Sequence, residues 1–217
     1  MLEAVIFDLD GTLLDSKADI LDALSSAYYD CCGAYLPIND LIIGPPLEEM
    51  LRNITPELSV LQIPEIIKSF RVKYKDSGFL KTKYFDGIDS LLLKLQQKNC
   101  KTFIATNKPL LITKQILQGI GFELSENNII AIDSYKGKKL TKAEMLNELV
   151  AKFKLNKNSC IFVGDSTLDI YAAKQAGIFS IAVGYGYYEK EELRQSLPDI
   201  FVETVNELSD YLFTNRN

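Results

Sequence analysis

The sequence of 217 residues contains no histidine and no tryptophan. Without histidine there is no imidazole to act as a catalytic acid or base, to activate a serine or cysteine nucleophile, or to bind a metal ion. Any catalysis must therefore use carboxylates, lysine, hydroxyls, thiols or a hard cation held by oxygen atoms. Zinc sites with histidine ligands, as in deaminases and carbonic anhydrase, are excluded.

Cysteine is scarce, and its four positions do not form a metal-binding pattern. Cys31, Cys32, Cys100 and Cys160 lack the spacing of a ligand set. The start of the chain carries no basic stretch ahead of its short apolar segment, so we expect no signal peptide. Because cysteines remain reduced in proteins that are not exported, we expect a cytoplasmic protein with free thiols.

Long hydrophobic runs and an excess of basic residues are also missing. No apolar run reaches the roughly 18–20 residues that a membrane-spanning helix requires. The formal net charge is −5, so no basic surface is available for a nucleic acid. We therefore expect neither a membrane nor a nucleic acid as a partner. The hydrophobic fraction of 47% is sufficient for one large or two small globular domains.

Five short apolar segments predict strands, at residues 4–7, 102–105, 129–132, 160–163 and 180–183. Apolar residues recur at helical spacing between the later segments, and Thr141 to Glu144 has the pattern of a capping box that opens one of these helices. Strands that are almost wholly apolar and alternate with helices indicate a parallel sheet covered on both faces. The predicted fold is α/β, with a Rossmann-like parallel sheet as its core.

Residues 16–81 differ in character from the rest of the chain. They combine helical periodicity with several prolines and show no convincing strand alternation. The first strand nevertheless belongs to a sheet whose other strands follow only after about residue 84. We therefore predict an α/β core formed by residues 1–15 and 82–217, with residues 16–81 inserted as an all-helical domain.

Polar side chains that could take part in catalysis or ligand binding follow three of the predicted strands. Asp8 to Thr12 follows the first strand, Thr106 to Lys108 the second, and Gly164 to Asp169 the fourth. Lys142 opens the helix between the third and fourth strands. In a parallel α/β sheet, ligands bind beyond the carboxyl ends of the strands, so these residues should face one crevice.

Two acidic clusters at one rim repel each other unless a cation lies between them. Without histidine or a cysteine cluster, that cation is best matched by Mg²⁺, which prefers carboxylates, carbonyls and waters. A magnesium site beside a hydroxyl, an amide and a lysine suits a phosphoryl group, whose oxygens these groups neutralise or hydrogen-bond. A carboxylate nucleophile could then form an aspartyl-phosphate.

These motifs resemble those of the haloacid dehalogenase-like hydrolase superfamily. Asp8 to Thr12 is similar to its first motif, Thr106 to its second, Lys142 to its third and Gly164 to Asp169 to its fourth. The helical insertion resembles the cap of the phosphoglycolate phosphatase-like branch. Further likeness to that branch lies in Asp15-Ser16, in Gly44 ahead of residues 47–51, and in Phe70-Arg71 with Tyr74. The resemblance covers nearly the whole chain, with all four motifs in order.

The resemblance implies roles for the acidic residues. Asp8 would be the nucleophile that attacks phosphorus, and Asp10 would protonate the leaving group and then activate water. Mg²⁺ would be held by Asp8, by the backbone carbonyl of Asp10 and by Asp165, with Asp169 nearby or acting through water. Members that cleave carbon–halogen bonds lack the second aspartate, so Asp10 argues against a dehalogenase.

The resemblance also implies a set of phosphate-binding residues. Thr106 and Lys142 would hold the phosphoryl oxygens, with Asn107 as a further candidate. The third motif departs from the commoner Lys-Pro-x-Pro form. Three other lysines therefore remain open as the phosphate clamp: Lys136, Lys138 and Lys139.

The predicted function is a Mg²⁺-dependent phosphatase for a small phosphorylated metabolite, such as phosphoglycolate, a nucleotide or a sugar phosphate. A sugar phosphomutase would share every core residue and remains an alternative, as does a non-catalytic regulatory member of the superfamily. Asp10 argues against the latter, because a silent site has no chemical need for an acid/base. The protein is expected to be a monomer or a homodimer.

Gly184-Tyr185-Gly186 lacks the third glycine and the surroundings of a dinucleotide fingerprint and is interpreted as a loop.

Overall fold

The computed structural model describes residues 2–38, 41–122 and 124–214. The strands there are β1 (Ala4–Phe7), β2 (Leu14–Asp15), β3 (Lys83–Tyr84), β4 (Lys101–Thr106), β5 (Ile129–Ala131), β6 (Cys160–Gly164), β7 (Phe179–Val183) and β8 (Ile200–Val202). The α-helices are α1 (Lys17–Cys32), α2 (Leu47–Ile54), α3 (Gln62–Asp76), α4 (Ile88–Gln97), α5 (Leu110–Gly119), α6 (Lys142–Phe153), α7 (Thr167–Ala176), α8 (Lys190–Gln195) and α9 (Val205–Thr214).

Six strands form one parallel sheet in the order β5-β4-β1-β6-β7-β8. β1 lies between β4 and β6, with Phe7 in register with Ile104 on one side and Val163 on the other. The predicted α/β fold with a parallel sheet is confirmed. The five predicted strands correspond to β1, β4, β5, β6 and β7, whereas the edge strand β8 was not predicted. The third strand ends one residue earlier than predicted, at Ala131.

Helices cover both faces of the sheet, and the side chains of β1 alternate between the two layers. Ala4 and Ile6 pack with apolar residues of α6 and α7. Val5 and Phe7 point the other way and pack with residues of α4, α5 and α9. This alternation follows from the two-residue period of a strand. It explains why β1 is apolar at all four positions, since both of its faces are buried.

The helices α1, α2 and α3 lie between β2 and β3 in the chain, and we refer to residues 16–81 as the helical segment. β2 and β3 pair antiparallel where the chain leaves the sheet region and returns to it, with Leu14 opposite Tyr84. The buried Asp19 of α1 accepts hydrogen bonds from the backbone N–H of Lys81 at 3.0 Å and the hydroxyl of Thr82 at 2.7 Å. The beginning and the end of the helical segment are therefore tied together.

In the three described ranges, none of the helices combines the length and the apolar character needed to cross a membrane.

A pair of leucines on α4 provides a direct test of the core. Leu91 is 1% exposed, whereas Leu93, two positions along the same helix, is 54% exposed. Leu91→Ala should lower the free energy of unfolding by about 2–5 kcal/mol, because it removes buried apolar contacts and leaves a cavity. Leu93→Ala, the matched control, should change it by less than about 0.5 kcal/mol. Urea unfolding followed by circular dichroism measures both, and similar effects for the two variants would contradict this packing.

Candidate active site

Four buried polar side chains lie at the carboxyl edge of the central strands. Asp8 directly follows β1, Thr106 ends β4, and Asp165 directly follows β6. Lys142 is the first residue of α6, whose predicted capping box is present. Since β4, β1 and β6 are neighbours in a parallel sheet, their carboxyl ends meet at one edge. The sheet order therefore brings together the residues of all four sequence motifs.

The turn after β1 lies directly against the end of β6. Gly11 has a φ of +88°, and a Cβ atom there would lie 2.1 Å from Oδ2 of Asp165. Glycine is thus required both for the backbone conformation and for the close approach. The hydroxyl of Thr12 donates to Oδ1 of Asp165 at 3.4 Å. The first and fourth motifs consequently form a single packed unit.

The ammonium group of Lys142 lies among the site carboxylates. It forms an ion pair and hydrogen bond with Oδ1 of Asp8, lies 3.1 Å from Oδ1 of Asp169, and donates to the carbonyl of Ala105 at 3.1 Å. Burial lowers the pKa of Lys142, but Asp169 and Asp8 outweigh it, and the pKa lies above its ordinary value. Lys142 is therefore held as a cation beside Asp8.

The other lysines considered for this position are exposed, although Lys139 also lines the cavity that contains Asp8. Lys138 is exposed and pairs with Glu144 at 2.9 Å. Lys136 and Lys139 are also exposed. In the described part of the chain, the lysine that forms an ion pair with Asp8 is Lys142.

Three buried carboxylates surround one point at this edge. One carboxylate oxygen from each of Asp8, Asp165 and Asp169 lies within 4.8 Å of the others. Burial raises the pKa of Asp8 to about 7, despite the opposing charge of Lys142. Burial, followed by the charges of Asp8 and Asp169, raises the pKa of Asp165 well above its ordinary range. This excess of negative charge and the all-oxygen donors fit a hard divalent cation.

Two of these carboxylates are oriented by hydrogen bonds from their surroundings. Oδ2 of Asp169 accepts from the backbone N–H of Ser166 at 3.2 Å and from its hydroxyl at 2.6 Å, within the capping box that begins α7. Oδ2 of Asp165 accepts from the backbone N–H of Tyr187 at 2.8 Å. Such supporting bonds fix the direction in which a metal-binding carboxylate points. The sequence interpretation of residues 184–186 as a plain loop missed this contact of the neighbouring Tyr187.

Asp10 points away from the carboxylate cluster. Its Oδ1 accepts from the hydroxyl of Ser16 and lies 3.1 Å from the ammonium group of Lys108. Lys108 also donates to the hydroxyl of Tyr74 in α3 at 2.8 Å, with the ammonium 4.6 Å from the ring centroid. Burial lowers the pKa of Lys108, but Asp10 and Tyr74 raise it above its ordinary value. The sequence places Lys108 at a strand end, but no role was predicted for it. In the structure, the buried ammonium of Lys108 contacts both Asp10 and Tyr74 and so joins Asp10 to the helical segment.

Thr106 and Asn107 lie on the β4 side of the same opening. Thr106 is buried, and its Oγ1 accepts from the backbone N–H of Lys108 at 3.1 Å. The hydroxyl hydrogen of Thr106 can therefore point towards a ligand. The side-chain amide of Asn107 donates to the carbonyl of Gly44 in the helical segment at 2.9 Å. One of its two amide hydrogens is thus used to hold the helical segment.

A cavity of about 210 Å³ separates the strand ends from the helical segment. Its floor includes Asp8, Asp10 and Thr106, and the opposite wall is largely apolar. That wall includes Ile20, Ile43, Met50, Ile67 and Phe70. The cavity can thus hold a small molecule with one polar end on the strand edge.

Comparison with known proteins identifies the family. The family model of haloacid dehalogenase-like hydrolases matches residues 5–183. This chain belongs to the haloacid dehalogenase-like hydrolase family. The predicted family, its phosphoglycolate phosphatase-like branch and the prediction of a phosphatase-type hydrolase are confirmed.

Proteins similar to this chain align with nearly all of it. The chain is 31% identical over 215 residues to the tyrosine-protein kinase PtkA of Mycobacterium tuberculosis, covering 97% of this chain and 72% of PtkA. It is 30% identical over 229 residues to a phosphoglycolate phosphatase of Vibrio vulnificus, covering 99% and 97%. The crystal structure of a predicted phosphatase from Clostridium acetobutylicum has a TM-score of 0.86 and 28% identity, and covers 98% of each chain.

In the metal-free protein, the repulsion within the carboxylate cluster should lower the free energy of unfolding. At a pH of about 8, Asp165→Asn in the presence of a chelator should raise the free energy of unfolding above that of the parent. The reason is that ionisation of a buried carboxyl with a raised pKa opposes folding, and asparagine removes that charge. Chemical denaturation with a chelator present measures the difference.

The exposed Asp210, on α9, provides a matched control. Asp210→Asn should leave the free energy of unfolding within about 0.5 kcal/mol of the parent. A decrease in stability for Asp165→Asn, with Asp210→Asn unchanged, would show that the cluster is not under electrostatic strain.

Proposed function

We propose that this protein is a Mg²⁺-dependent phosphatase that hydrolyses a small phosphorylated metabolite through a phosphorylated Asp8. The observation that carries the proposal is the environment of Asp8. This carboxylate lies at the end of the central strand, is paired with the buried ammonium of Lys142, and lines the cavity below the helical segment. A carboxylate that faces a substrate cavity is available as a nucleophile.

Two aspartates divide the chemistry between them. A carboxylate oxygen of Asp8 attacks phosphorus, the ester P–O bond breaks, and the leaving alkoxide takes a proton from Asp10. Asp10 then removes a proton from water, the water oxygen attacks phosphorus, and the bond between Asp8 and the phosphoryl group breaks. Ser16 and Lys108 hold Asp10 outside the carboxylate cluster. That separation supports a role for Asp10 in proton transfer.

The carboxylate cluster is the proposed Mg²⁺ site. Asp8 and Asp165 would bind the ion together with the backbone carbonyl of Asp10, and Asp169 would lie nearby or act through water. When bound, Mg²⁺ neutralises oxygens of the phosphoryl group. The support is a buried set of oxygen donors whose charge Lys142 balances only in part.

Phosphoryl oxygens would also be bound by Lys142 and Thr106. Lys142 supplies a fixed positive charge beside Asp8, and Thr106 has a hydroxyl hydrogen to donate. Asn107 retains one amide hydrogen beyond its bond to Gly44 and is the third proposed contact. These groups stabilise the charge that develops as the ester bond breaks.

Residues 16–81 are proposed to act as a cap domain over an α/β core of residues 1–15 and 82–217. The cavity lies between the helical segment and the strand ends, and two short strands connect the two parts. Contacts from Lys108 to Tyr74 and from Asn107 to Gly44 hold the parts together across the cavity. A closed cap excludes water while Asp8 reacts with the ester.

The size of the cavity favours a small substrate. Phosphoglycolate is the first candidate, followed by nucleotide and sugar monophosphates. A sugar phosphomutase remains the second candidate, because the same phosphorylated Asp8 can pass its phosphoryl group to a sugar hydroxyl instead of water. Phosphorus NMR separates the two, since an isomerised sugar phosphate without free phosphate would favour the mutase.

Asp8→Asn tests the nucleophile. In a panel of phosphate esters with Mg²⁺, the variant should lose at least about 10³-fold in kcat on the best substrate, because the amide does not attack phosphorus. Removing Mg²⁺ from the parent with a chelator should abolish activity as well. Phosphate release measures both, with Asp210→Asn as the active control. Asp8→Asn activity equal to that of the parent would rule the mechanism out.

Asp10→Asn tests the acid/base through the leaving group. On an alkyl phosphate, which needs a proton on its leaving oxygen, kcat should fall about 10²–10⁴-fold. The first step on p-nitrophenyl phosphate should be affected much less, because nitrophenolate leaves without a proton. Stopped-flow detection of nitrophenolate measures that step, and equal losses on both esters would assign Asp10 a different role.

A further inference from the structure

Tyr187 contacts two parts of the active site through two different groups. It lies in the loop between β7 and α8, directly after Gly184-Tyr185-Gly186. Its backbone N–H reaches the carboxylate cluster, and its side-chain hydroxyl reaches the start of the helical segment. The catalytic scheme uses neither contact.

The backbone contact is fixed by close packing. The N–H of Tyr187 donates to Oδ2 of Asp165 at 2.8 Å. A Cβ atom on the preceding Gly186 would lie 2.3 Å from Cβ of Asp165 and 2.5 Å from the carbonyl oxygen of Gly11. Only glycine permits this approach, so the loop is held directly against Asp165.

The hydroxyl of Tyr187 caps the first helix of the helical segment. It accepts from the backbone N–H groups of Ser16 at 2.7 Å and Lys17 at 3.0 Å. The first N–H groups of a helix have no partner within the helix, and a side chain at the N-cap usually binds one of them. Ser16, the N-cap of α1, makes no such bond, and its hydroxyl donates to Asp10 instead. Tyr187 therefore supplies this cap from a distant part of the chain.

The ring of Tyr187 also contacts the return connection of the helical segment. Its centroid lies 6.2 Å from that of Phe85, which directly follows β3. The hydroxyl additionally lies 3.2 Å from the carbonyl oxygen of Leu14 in β2. One side chain thus contacts both points at which the helical segment joins the core.

We infer that Tyr187 is a positioning residue that couples the start of the cap to the metal-binding carboxylate Asp165. An ion that fixes Asp165 also fixes the Tyr187 N–H, and the rigid phenol ring transmits that position to Ser16 and Lys17. By reciprocity, the cap orientation in which α1 is bound to the Tyr187 hydroxyl favours the ion-binding position of Asp165. This inference rests on the proposed divalent site.

Hydrogen exchange of backbone amides, followed by NMR with and without Mg²⁺, tests the coupling. In the parent protein, Mg²⁺ should slow exchange at the Tyr187 amide and also at the Ser16 and Lys17 amides. Tyr187→Phe keeps the ring and the backbone N–H and removes only the hydroxyl. In this variant the Ser16 and Lys17 amides should exchange at least about tenfold faster, because their acceptor is lost. Mg²⁺ should still protect the variant's amide at position 187 but no longer the other two.

Tyr185→Phe is the matched control in the same loop. The Tyr185 hydroxyl donates to the carbonyl of Thr12 at 3.0 Å and has a different acceptor from that of Tyr187. The Mg²⁺ effect at Ser16 and Lys17 should persist in this variant. Its loss in both variants would indicate a general disturbance of the loop and would overturn the specific role of Tyr187.

The outcomes separate this inference from the metal site on which it depends. No Mg²⁺ effect at the Tyr187 amide of the parent would overturn the proposed metal site, and the coupling with it. An effect at Tyr187 without one at Ser16 and Lys17 would leave the metal site intact and overturn the coupling. If Mg²⁺ protected the Ser16 and Lys17 amides of Tyr187→Phe as strongly as those of the parent, the coupling through Tyr187 would also be overturned. The comparison within the parent protein does not depend on the folding of any variant.

Discussion

Three carboxylates are buried around one point, and this concentration of charge is the constraint on which the candidate active site is built. Asp8, Asp165 and Asp169 come from the ends of two neighbouring strands and the first turn of a helix, and Lys142 pairs with the first and the last of them. All three side chains are buried, so the negative charge must be balanced largely within the site. Lys142 balances this charge only in part, and the pKa values of Asp8 and Asp165 are raised in the protein without a bound cation. The proposed divalent-ion binding and the proposed nucleophilic role of Asp8 both rest on this constraint.

The helical segment is joined to this charged edge by contacts that also hold Asp10, the proposed acid/base. Lys108 links Asp10 to Tyr74 of α3. The hydroxyl of Ser16 reaches Asp10 from the first residue of the segment. The proposed acid/base and the helical segment are therefore held by one set of bonds, which would connect the position of the proposed cap with proton transfer. Tyr187, in the loop after β7, adds a further connection, because it donates to Asp165 and accepts from Ser16.

The extent to which the sequence predicts this structure differs between its parts. The central strands were predictable because a parallel strand buried on both faces is apolar throughout. The start of α6 was predictable from its capping box, which put Lys142 at the first helical position. β8 was missed because it is only partly embedded in the core: Val202 is buried and the other two residues are not, whereas the equally short β5 is buried throughout. The pairing of Lys108 with Tyr74 was missed because it joins residues far apart in the sequence, and no local periodicity encodes such a contact.

The central claim is that Asp8 carries the phosphoryl group during turnover. An acyl phosphate is reduced by borohydride, whereas a free carboxylate is not, so quenching the enzyme during turnover marks the phosphorylated aspartate as homoserine. Peptide mapping by mass spectrometry then locates the modified position. The account predicts homoserine at position 8, dependent on both substrate and Mg²⁺. Active enzyme that gives no homoserine, or gives it at another aspartate, would contradict the account.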